Sequence, residues 1–368
     1  MPEAKETVLE IDLRALEHNY RYLRSKLAAR TKFLAVVKAF AYGSDAEKVA
    51  QKLESLGVDY FAVAYVKEGV ALRNAGITKP ILVLHPQTIN FNTLITHRLE
   101  PSLYSPKVLE DFLASAKRQG QTDYPVHLKF NTGLNRLGFG ENDVDYITGQ
   151  LRDVDEVKIS SVFSHLAASE DLNEGTFTQR QIDVFQKITL EINKKLDDKP
   201  FRHLLNTSGI INYTGAQYDM VRSGIGLYGY GNEAKIDAEL KPVATLKTII
   251  SQIHKIEPGE TVGYNRSFAS DGHRISATLP LGHADGIGRQ YGGGKTYVLV
   301  HGKKAPIIGN VCMDMIMIDV TGISCKEGDE VVVFGPELSA MEFAQTANTI
   351  SYELLTGISQ RISRVYKD

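Results

Sequence analysis

The sequence is poor in cysteine, has no tryptophan and carries almost no net charge. Its 368 residues include only Cys312 and Cys325, and their spacing suits neither a zinc site nor a disulfide framework. Forty-two Lys and Arg stand against 44 Asp and Glu, which gives a formal net charge of −2. No basic surface for nucleic acid or for an anionic membrane is therefore expected. These absences favour a protein that acts on a small molecule.

Long hydrophobic runs are also missing. No apolar stretch approaches the roughly 20 residues that cross a bilayer. The opening MPEAKETVLEID lacks the basic start and the apolar core of a secretory signal. We therefore expect a cytoplasmic protein whose thiols stay reduced. Hydrophobic residues make up 43% of the chain and charged residues 23%, as in a globular protein with a sizeable core.

Short apolar runs alternate with amphipathic segments from residue 31 to about 225. The helical segments include SDAEKVAQKLESLG and SPKVLEDFLASAKRQG, which begin with capping residues and end in glycine. The apolar runs predict eight strands, near residues 33–38, 60–64, 80–84, 101–104, 126–131, 158–164, 203–206 and 219–223. Eight such units predict an α/β fold, a (β/α)8 TIM-like barrel.

The pattern changes after residue 240, where β-rich runs such as DEVVVFG are joined by Gly, Pro and Asp. This predicts a C-terminal, mostly β domain, and we place the two domains at residues 1–235 and 236–368. The early run VLEID also has the composition of a strand, and Asp12 at its end is a candidate helix N-cap. This first strand is therefore a candidate to join the C-terminal sheet.

Lys38 raises the first functional question, because it closes the apolar run FLAVV at residues 33–37. Burial disfavours the charged form of an amine, so a lysine at the inner end of a strand tends to lose its proton and become nucleophilic. Schiff-base chemistry requires such an amine. The alternative is a lysine whose stem is buried and whose ammonium group reaches solvent.

Other polar residues fall at the ends of the predicted strands. In a barrel of this type the reacting groups project from the C-terminal ends of the strands, so these side chains should meet at one mouth. Taken singly, each has an ordinary structural role, such as a surface ion pair or a buried histidine, but their coincidence favours a site. The residues are Lys38, Tyr42, Arg136, His165, Asn206, Thr207 and Arg222.

The segment GIGLYG at residues 224–229 formally matches the dinucleotide fingerprint G-x-G-x-x-G, but it comes late in the chain and is turn-like. Barrels of this type often bind a phosphate at the loops after strands seven and eight. A Schiff-base lysine together with a phosphate cup suggests pyridoxal 5'-phosphate. If Arg222 faced the pyridine nitrogen, the ring would stay largely unprotonated and would favour brief removal and return of an α-proton.

Motifs along nearly the whole chain resemble those of the alanine racemases, which are barrel-type pyridoxal phosphate enzymes of fold type III. In the barrel these are AVVKAFAYGSD, KFNTGLNRLG, SVFSHLAASE, LLNTSG and RSGIGLYG. In the second domain they are VGYNRSF, LGHADGIGR, IIGNVCMDMIMIDV and ISYELLTGISQRISRVY. The resemblance implies a homodimeric isomerase that interconverts L-alanine and D-alanine and so supplies D-alanine, a peptidoglycan precursor, or consumes it.

The resemblance also implies residue roles. Lys38 would hold the cofactor and act as one catalytic base, and Tyr264 would reach a partner subunit as the second base. Racemisation requires one acid/base group on each face of a planar carbanion, which two such residues would provide. Arg136 and Met313 would bind the substrate, and no metal is expected. The cofactor-binding residues would be Lys38, Tyr42, His165, Asn206, Thr207, Arg222, Gly224, Ile225 and Tyr352.

The chain departs from the family pattern at several positions, with consequences for specificity and rate. The replacements are Phe40 for asparagine, Ser44-Asp45 for His-Gly, Asn131 for aspartate, His283 for tyrosine and Asn310 for arginine. By the same resemblance, Lys129 is either carbamylated or accompanied by an anion.

Three alternatives remain open. One is a racemase of another small amino acid, such as serine. A second is a barrel-type amino-acid decarboxylase, in which Cys312 would act from the partner subunit, although Arg222 stands where a glutamate would be expected. A third is a cofactor-carrier barrel, although such proteins lack a second domain.

Overall fold

The computed structural model describes residues 5–196, 199–231 and 234–368. Its first elements are strand β1 (Val8–Asp12) and helix α1 (Leu13–Ser25). Eight parallel strands then close into a barrel: β2 (Lys32–Val36), β3 (Tyr60–Val63), β4 (Ile81–Val83), β5 (Glu100–Leu103), β6 (Tyr124–Lys129), β7 (Val157–Phe163), β8 (Phe201–His203) and β9 (Met220–Ser223). The predicted (β/α)8 barrel is confirmed.

The helices between these strands form where caps and apolar spacing favour them. The Asp12 side chain accepts from the amides of Arg14 and Ala15, and the Ser105 side chain caps the helix that opens with Pro106. The helices of this part are α2 (Lys38–Tyr42), α3 (Ala46–Ser55), α4 (Val66–Asn74), α5 (Phe91–Thr96), α6 (Pro106–Arg118), α7 (Val144–Leu151), α8 (Gly175–Lys195), α9 (Thr207–Asn212) and α10 (Ala234–Asp237).

The remaining chain is mostly β, as predicted. Its strands are β10 (Ala244–Ile249), β11 (Gln252–Ile256), β12 (Thr261–Val262), β13 (Phe268–Ala269), β14 (Arg274–Leu279), β15 (Tyr297–Val300), β16 (Lys303–Ile308), β17 (Ile316–Asp319), β18 (Glu330–Phe334) and β19 (Ser363–Lys367). The run MEFAQTANTISYELLTG forms two short helices, α11 (Ala340–Gln345) and α12 (Ser351–Gly357).

Strand β1 belongs to the sheet of the second part of the chain and not to the barrel. The order of this nine-stranded sheet is β11-β14-β17-β16-β15-β18-β10-β1-β19. Strand β1 pairs antiparallel with β10 and parallel with β19, which confirms the expectation for VLEID. The domain boundary at residues 235 and 236 stays a prediction. Among the described residues, no helix combines the length and the apolar character needed to span a membrane.

Seven of the eight predicted barrel strands end one to three residues earlier than expected, and the ends of β2 and β8 deliver residues of interest. Strand β2 ends at Val36, so Lys38 opens a turn instead of closing the strand. Strand β8 ends at His203, and Asn206 is the N-cap of α9. In both places a polar side chain holds the backbone of the turn. The apolar run in the sequence does not reveal at which residue the strand pairing ends.

Candidate active site

The turn that carries Lys38 has an unusual backbone. Residues Ala39, Phe40, Ala41 and Tyr42 have φ angles between 50° and 55°, a left-handed conformation that costs L-residues about 1–2 kcal/mol each. Four such residues in succession need support from elsewhere in the fold.

Two distant side chains provide hydrogen bonds to this turn. The Glu68 carboxylate accepts from the amide of Ala39 at 2.6 Å and from that of Ala64 at 2.7 Å. The Arg364 guanidinium of β19 donates to the Gly43 carbonyl at 2.9 Å and lies 5.5 Å from the centroid of the Phe40 ring. Phe40, a departure from the family pattern, therefore packs against the residue that holds the turn.

Helix α12 packs directly against the same turn. A Cβ on Gly43 would lie 2.0 Å from the Leu355 carbonyl oxygen, and Gly43 has a φ of 83°, so glycine is required there. This close approach brings the Tyr352 ring within 5.9 Å of the Tyr42 ring. Tyr352 and the turn that carries Lys38, which are distant in sequence, thus lie together.

Lys38 lies in a partly buried, positively charged environment. Burial lowers the pKa of its amine, the charge of Arg136 lowers it further, and Glu68 opposes both effects. Lys129 is buried, and burial followed by the charges of Arg136, Arg222 and Lys38 lowers its pKa to about 8. The structure therefore gathers four cationic groups at one mouth of the barrel, as a site for anions requires.

Arg222 is the most constrained of these groups. Its Nη1 donates to His203 Nδ1 at 2.7 Å, and its Nη2 donates to the Ser164 carbonyl at 2.6 Å and to His165 Nδ1 at 3.2 Å. Burial, followed by the charge of Arg136, lowers the pKa of Arg222 to about 9. Burial, followed by the charges of Arg222 and Arg136, holds the pKa of His165 well below its usual range, so His165 is a neutral acceptor for Arg222 at neutral pH.

The loops after β8 and β9 form a cradle. The Asn206 side chain caps α9 by accepting from the Gly209 amide at 2.9 Å, and it also accepts from Ser169 Oγ at 2.7 Å. Thr207 Oγ1 lies 3.0 Å from Ser223 Oγ. A Cβ on Gly224 would lie 2.1 Å from the Tyr42 hydroxyl oxygen, so only glycine lets the backbone approach that hydroxyl.

Hydroxyl and amide donors dominate this cradle. Burial, together with Tyr352, raises the pKa of Tyr42, which therefore stays a protonated donor. Its ring stacks on Tyr228 with centroids 4.5 Å apart. The segment GIGLYG forms a 3-10 turn, Ile225–Tyr228, and not the α-helix of a dinucleotide site. Neutral donors beside several cations suit a phosphate, so these residues fit pyridoxal phosphate.

Tyr264 and Met313 lie on the β domain, with 73% and 60% of their surfaces exposed. They line a pocket together with His283, Arg289, Asn310, Val311 and Cys312. Asn310, where the family has arginine, donates from Nδ2 to the Tyr264 carbonyl at 2.9 Å. The structure thus joins Tyr264 to two positions at which this chain departs from the family pattern, His283 and Asn310.

Arg136 lies exposed on the loop after β6, and Asn131 shapes that loop. The Asn131 Oδ1 accepts from the amides of Gly133 and Asn135, and its Nδ2 donates to Asn135 Oδ1 at 2.8 Å. An aspartate could accept both amides but could not donate. Asn131 therefore preserves the loop that carries Arg136.

Sequence reasoning missed several residues that position the site. Glu68 stands three residues after Tyr65 in a capping box, a local pattern that could have found it. Arg364 has no local signal for its contact with the turn, because the Gly43 carbonyl that accepts from it is 321 residues away. His127 interrupts the apolar pattern of β6, which signals a buried polar group, whereas His203 ends the short strand β8 and carries no such signal.

Two family models match this chain. One is described as alanine racemase, N-terminal domain, and matches residues 11–232. The other is described as alanine racemase, C-terminal domain, and matches residues 243–366. The chain belongs to the alanine racemase family. These matches span both the barrel and the β-rich part.

Individual alanine racemases agree along almost the full chain. The alanine racemase of Thermodesulfovibrio yellowstonii is 38% identical over 97% of this chain and 96% of its own length. The solved alanine racemase of Clostridium difficile is 32% identical, has a TM-score of 0.93 and covers 100% of this chain and 97% of its own. The alanine racemase of Bacillus anthracis, solved with bound L-Ala-P, is 28% identical and has a TM-score of 0.92. The match covers 100% of this chain and 96% of the Bacillus anthracis chain. These comparisons support the racemase interpretation and give no support to the decarboxylase alternative.

Proposed function

We propose that the protein interconverts L-alanine and D-alanine with pyridoxal 5'-phosphate as cofactor. The observation that carries this proposal is the position of Lys38, an amine of lowered pKa among other cations, beside the cradle of Tyr42, Thr207 and Gly224. A reactive amine and an anion cradle on the same barrel are what a Schiff-base cofactor with a phosphate group needs. Membership in the alanine racemase family supports the substrate.

Each residue then has a defined task. Lys38 would hold the cofactor and exchange a proton at Cα of the substrate on one face. Tyr42, Asn206, Thr207, Gly224, Ile225 and Tyr352 would bind the phosphate. When bound, the cofactor would supply an electron-withdrawing ring that stabilises the charge left at Cα after the proton departs.

Arg222 would donate a hydrogen bond to the ring nitrogen, with His165 fixing its orientation. A guanidinium has no acceptor, so it favours an unprotonated ring nitrogen and limits how strongly the ring withdraws electrons. That limit suits a reaction in which the proton returns to the same carbon. Arg136 would pair with the substrate carboxylate.

Tyr264 would serve the second face from a partner subunit. Its exposure and that of Met313 support this assignment, because large apolar groups concentrated on one surface are typical of interaction sites. We therefore propose a homodimer with shared active sites, located in the cytoplasm. Met313 of the partner subunit would close the substrate site opposite Arg136.

Lys129 and Arg136 need a compensating anion. Burial and three neighbouring cations lower the pKa of Lys129 to about 8, so part of its amine is neutral near pH 8 and open to carbamylation. A bound anion would meet the same need. Mass spectrometry of the intact native protein with and without bicarbonate separates these alternatives.

Purified protein incubated with pyridoxal phosphate and L-alanine tests the proposal. We expect D-alanine to accumulate toward an equal mixture without release of carbon dioxide, and L-serine to react more slowly. Lys38→Ala should lose both the activity and the absorbance of the attached cofactor while it stays folded. Release of carbon dioxide, or failure of the wild-type protein to retain the cofactor, would contradict the proposal.

A further inference from the structure

A continuous row of buried side chains joins Arg222 to a carboxylate elsewhere in the barrel. Arg222 Nη1 lies 2.7 Å from His203 Nδ1, and His203 Nε2 lies 2.9 Å from Ser161 Oγ. Ser161 Oγ lies 2.5 Å from His127 Nδ1, and His127 Nε2 lies 2.7 Å from Glu100 Oε2. Each of the five successive strands from β9 to β5 contributes one residue to this polar row.

Counting donors fixes the direction of every hydrogen bond in the polar row. A guanidinium can only donate, so His203 Nδ1 accepts and the ring carries its proton on Nε2. That proton goes to Ser161 Oγ. Among the described residues, Ser161 Oγ has no hydrogen-bond partners besides the two histidines, so its own proton goes to His127 Nδ1. His127 then donates from Nε2 to the Glu100 carboxylate.

All four hydrogen bonds therefore point from the cation to the anion. The members are almost completely buried, with exposed fractions of 0% for the two histidines and Ser161, 4% for Arg222 and 8% for Glu100. Burial and the charge of Arg222 hold the pKa of His203 well below its usual range, which agrees with a neutral ring. A buried network in which each member has one possible role is rigid.

The polar row also determines which part of Arg222 stays available. The two hydrogens on Nη1 go to the ring and the carbonyl of His203, and those on Nη2 face the Ser164 and Leu204 carbonyls and His165 Nδ1. The N–H at Nε alone has no acceptor in the described part of the chain. Rotation of the guanidinium would break several of these bonds at once.

We propose that Glu100 is a positioning residue for Arg222, acting through His127, Ser161 and His203 so that the Nε–H remains the donor for a ligand. The identity of that ligand as the cofactor ring nitrogen rests on the proposed function. The polar row itself belongs to the protein without cofactor, so it can be tested separately.

Histidine nitrogen NMR of the cofactor-free protein tests the direction of the polar row. We expect His127 and His203 each to carry one proton, on Nε2, near neutral pH. A proton on Nδ1 of His203, or a doubly protonated His127, would overturn the inference. This result stands even if the protein proves to bind no pyridoxal phosphate.

Two serine variants test the positioning role in the loaded enzyme. Ser161→Ala removes the central link, and its matched control is Ser102→Ala, because Ser102 is equally buried on β5 but has no hydrogen-bond partner among the described residues. We expect Ser161→Ala to lower kcat about tenfold, the value of one hydrogen bond in the transition state, with the KM for alanine near its wild-type value. Ser102→Ala should change neither constant.

Glu100→Gln supplies a second variant in case Ser161→Ala does not fold. It keeps an acceptor oxygen for His127 and removes only the charge, so kcat should fall in the same direction but less. Unchanged kcat in folded Ser161→Ala and Glu100→Gln would reduce the polar row to a structural role. Absence of racemase activity in the wild-type protein would instead refute the proposed function. The histidine NMR result would then decide whether the polar row has the inferred direction.

Discussion

The mouth of the barrel and the Tyr264 pocket of the β domain differ in how completely each is organised by its own chain. At the mouth, Arg222 and Lys129 are 4% and 6% exposed, and hydrogen bonds hold Arg222 on several sides. On the β domain, Tyr264 and Met313 are largely exposed. Catalytic groups work best when their surroundings fix them in place.

This difference indicates how the proposed reaction is divided. The barrel prepares the groups that would hold the cofactor and serve one face of the substrate. The β domain presents Tyr264, whose side chain is largely exposed within one chain. In the account proposed here, a second copy of the chain completes its surroundings.

The largest effect is expected from a substitution in the Tyr264 pocket of the β domain. Tyr264→Phe keeps the ring and removes the proton carrier, so racemisation should fall by a factor of about 10²–10⁴. In deuterated water the variant should still exchange the α-proton of D-alanine, served by Lys38, but exchange that of L-alanine far more slowly. Proton NMR of the two enantiomers measures both rates.

Tyr146→Phe is the matched control for this experiment. Tyr146 lies on helix α7, where its hydroxyl donates to Glu110 at 2.7 Å, so its loss should leave both exchange rates unchanged. Equal loss of the two exchange rates in folded, cofactor-loaded Tyr264→Phe would contradict the assignment of one base to each face.

A smaller effect is expected from filling the cradle on the barrel side. In Gly224→Ala the new methyl group would meet the Tyr42 hydroxyl, displacing a proposed phosphate donor. Loss of one such hydrogen bond should weaken cofactor binding by about tenfold, measured by titrating the cofactor-free protein with pyridoxal phosphate. Gly149→Ala is the control, because nothing lies within 4 Å of the added Cβ there. Equal affinities of the two variants would show that the cradle does not bind the phosphate.

The smallest effect is expected from replacing Glu68, whose carboxylate holds the turn that carries Lys38. Glu68→Gln can no longer accept from the amides of both Ala39 and Ala64, so it should lose about 1–3 kcal/mol of stability and attach the cofactor more slowly. The control is Glu54→Gln, because Glu54 accepts from the amides of Thr78 and Lys79 through Oε1 alone, away from the site, so glutamine can keep both bonds. Denaturant unfolding and the rate of cofactor attachment should separate the variants, since only Glu68→Gln loses an amide acceptor and only Glu68 lies beside Lys38. Equal rates of cofactor attachment in Glu68→Gln and Glu54→Gln would show that Glu68 does not support the turn that carries Lys38.

The parts of the fold that follow from local patterns were predictable from the sequence. Apolar runs bounded by caps and glycines gave the eight barrel strands, and the composition of VLEID marked a strand that could leave the barrel. Seven of the eight strand ends were placed one to three residues too late, and at β2 and β8 polar side chains, Glu68 and Asn206, hold the backbone that follows the strand.

The site was predictable where a residue sits at a strand end or in a motif, as with Lys38, His165 and Arg222. Its supports were only partly predictable: the capping box at Tyr65 marks Glu68 locally, but the contacts that Glu68 and Arg364 make with the turn act over long sequence separations. Glu68 and Ala39 are 29 residues apart, and Arg364 and Gly43 are 321 apart. Likewise, the direction of the polar row from Arg222 to Glu100 follows only when all five strands are assembled.

Subunit mixing tests most directly whether the barrel of one chain and the β domain of another form one site. Lys38→Ala and Tyr264→Phe should each be nearly inactive alone. Exchange between them would create hybrid dimers in which one of the two sites contains both Lys38 and Tyr264. The account predicts that activity reappears as exchange proceeds, toward about one quarter of the wild-type value for random pairing of equal amounts. No recovery, with exchange demonstrated by native mass spectrometry, would contradict the shared site.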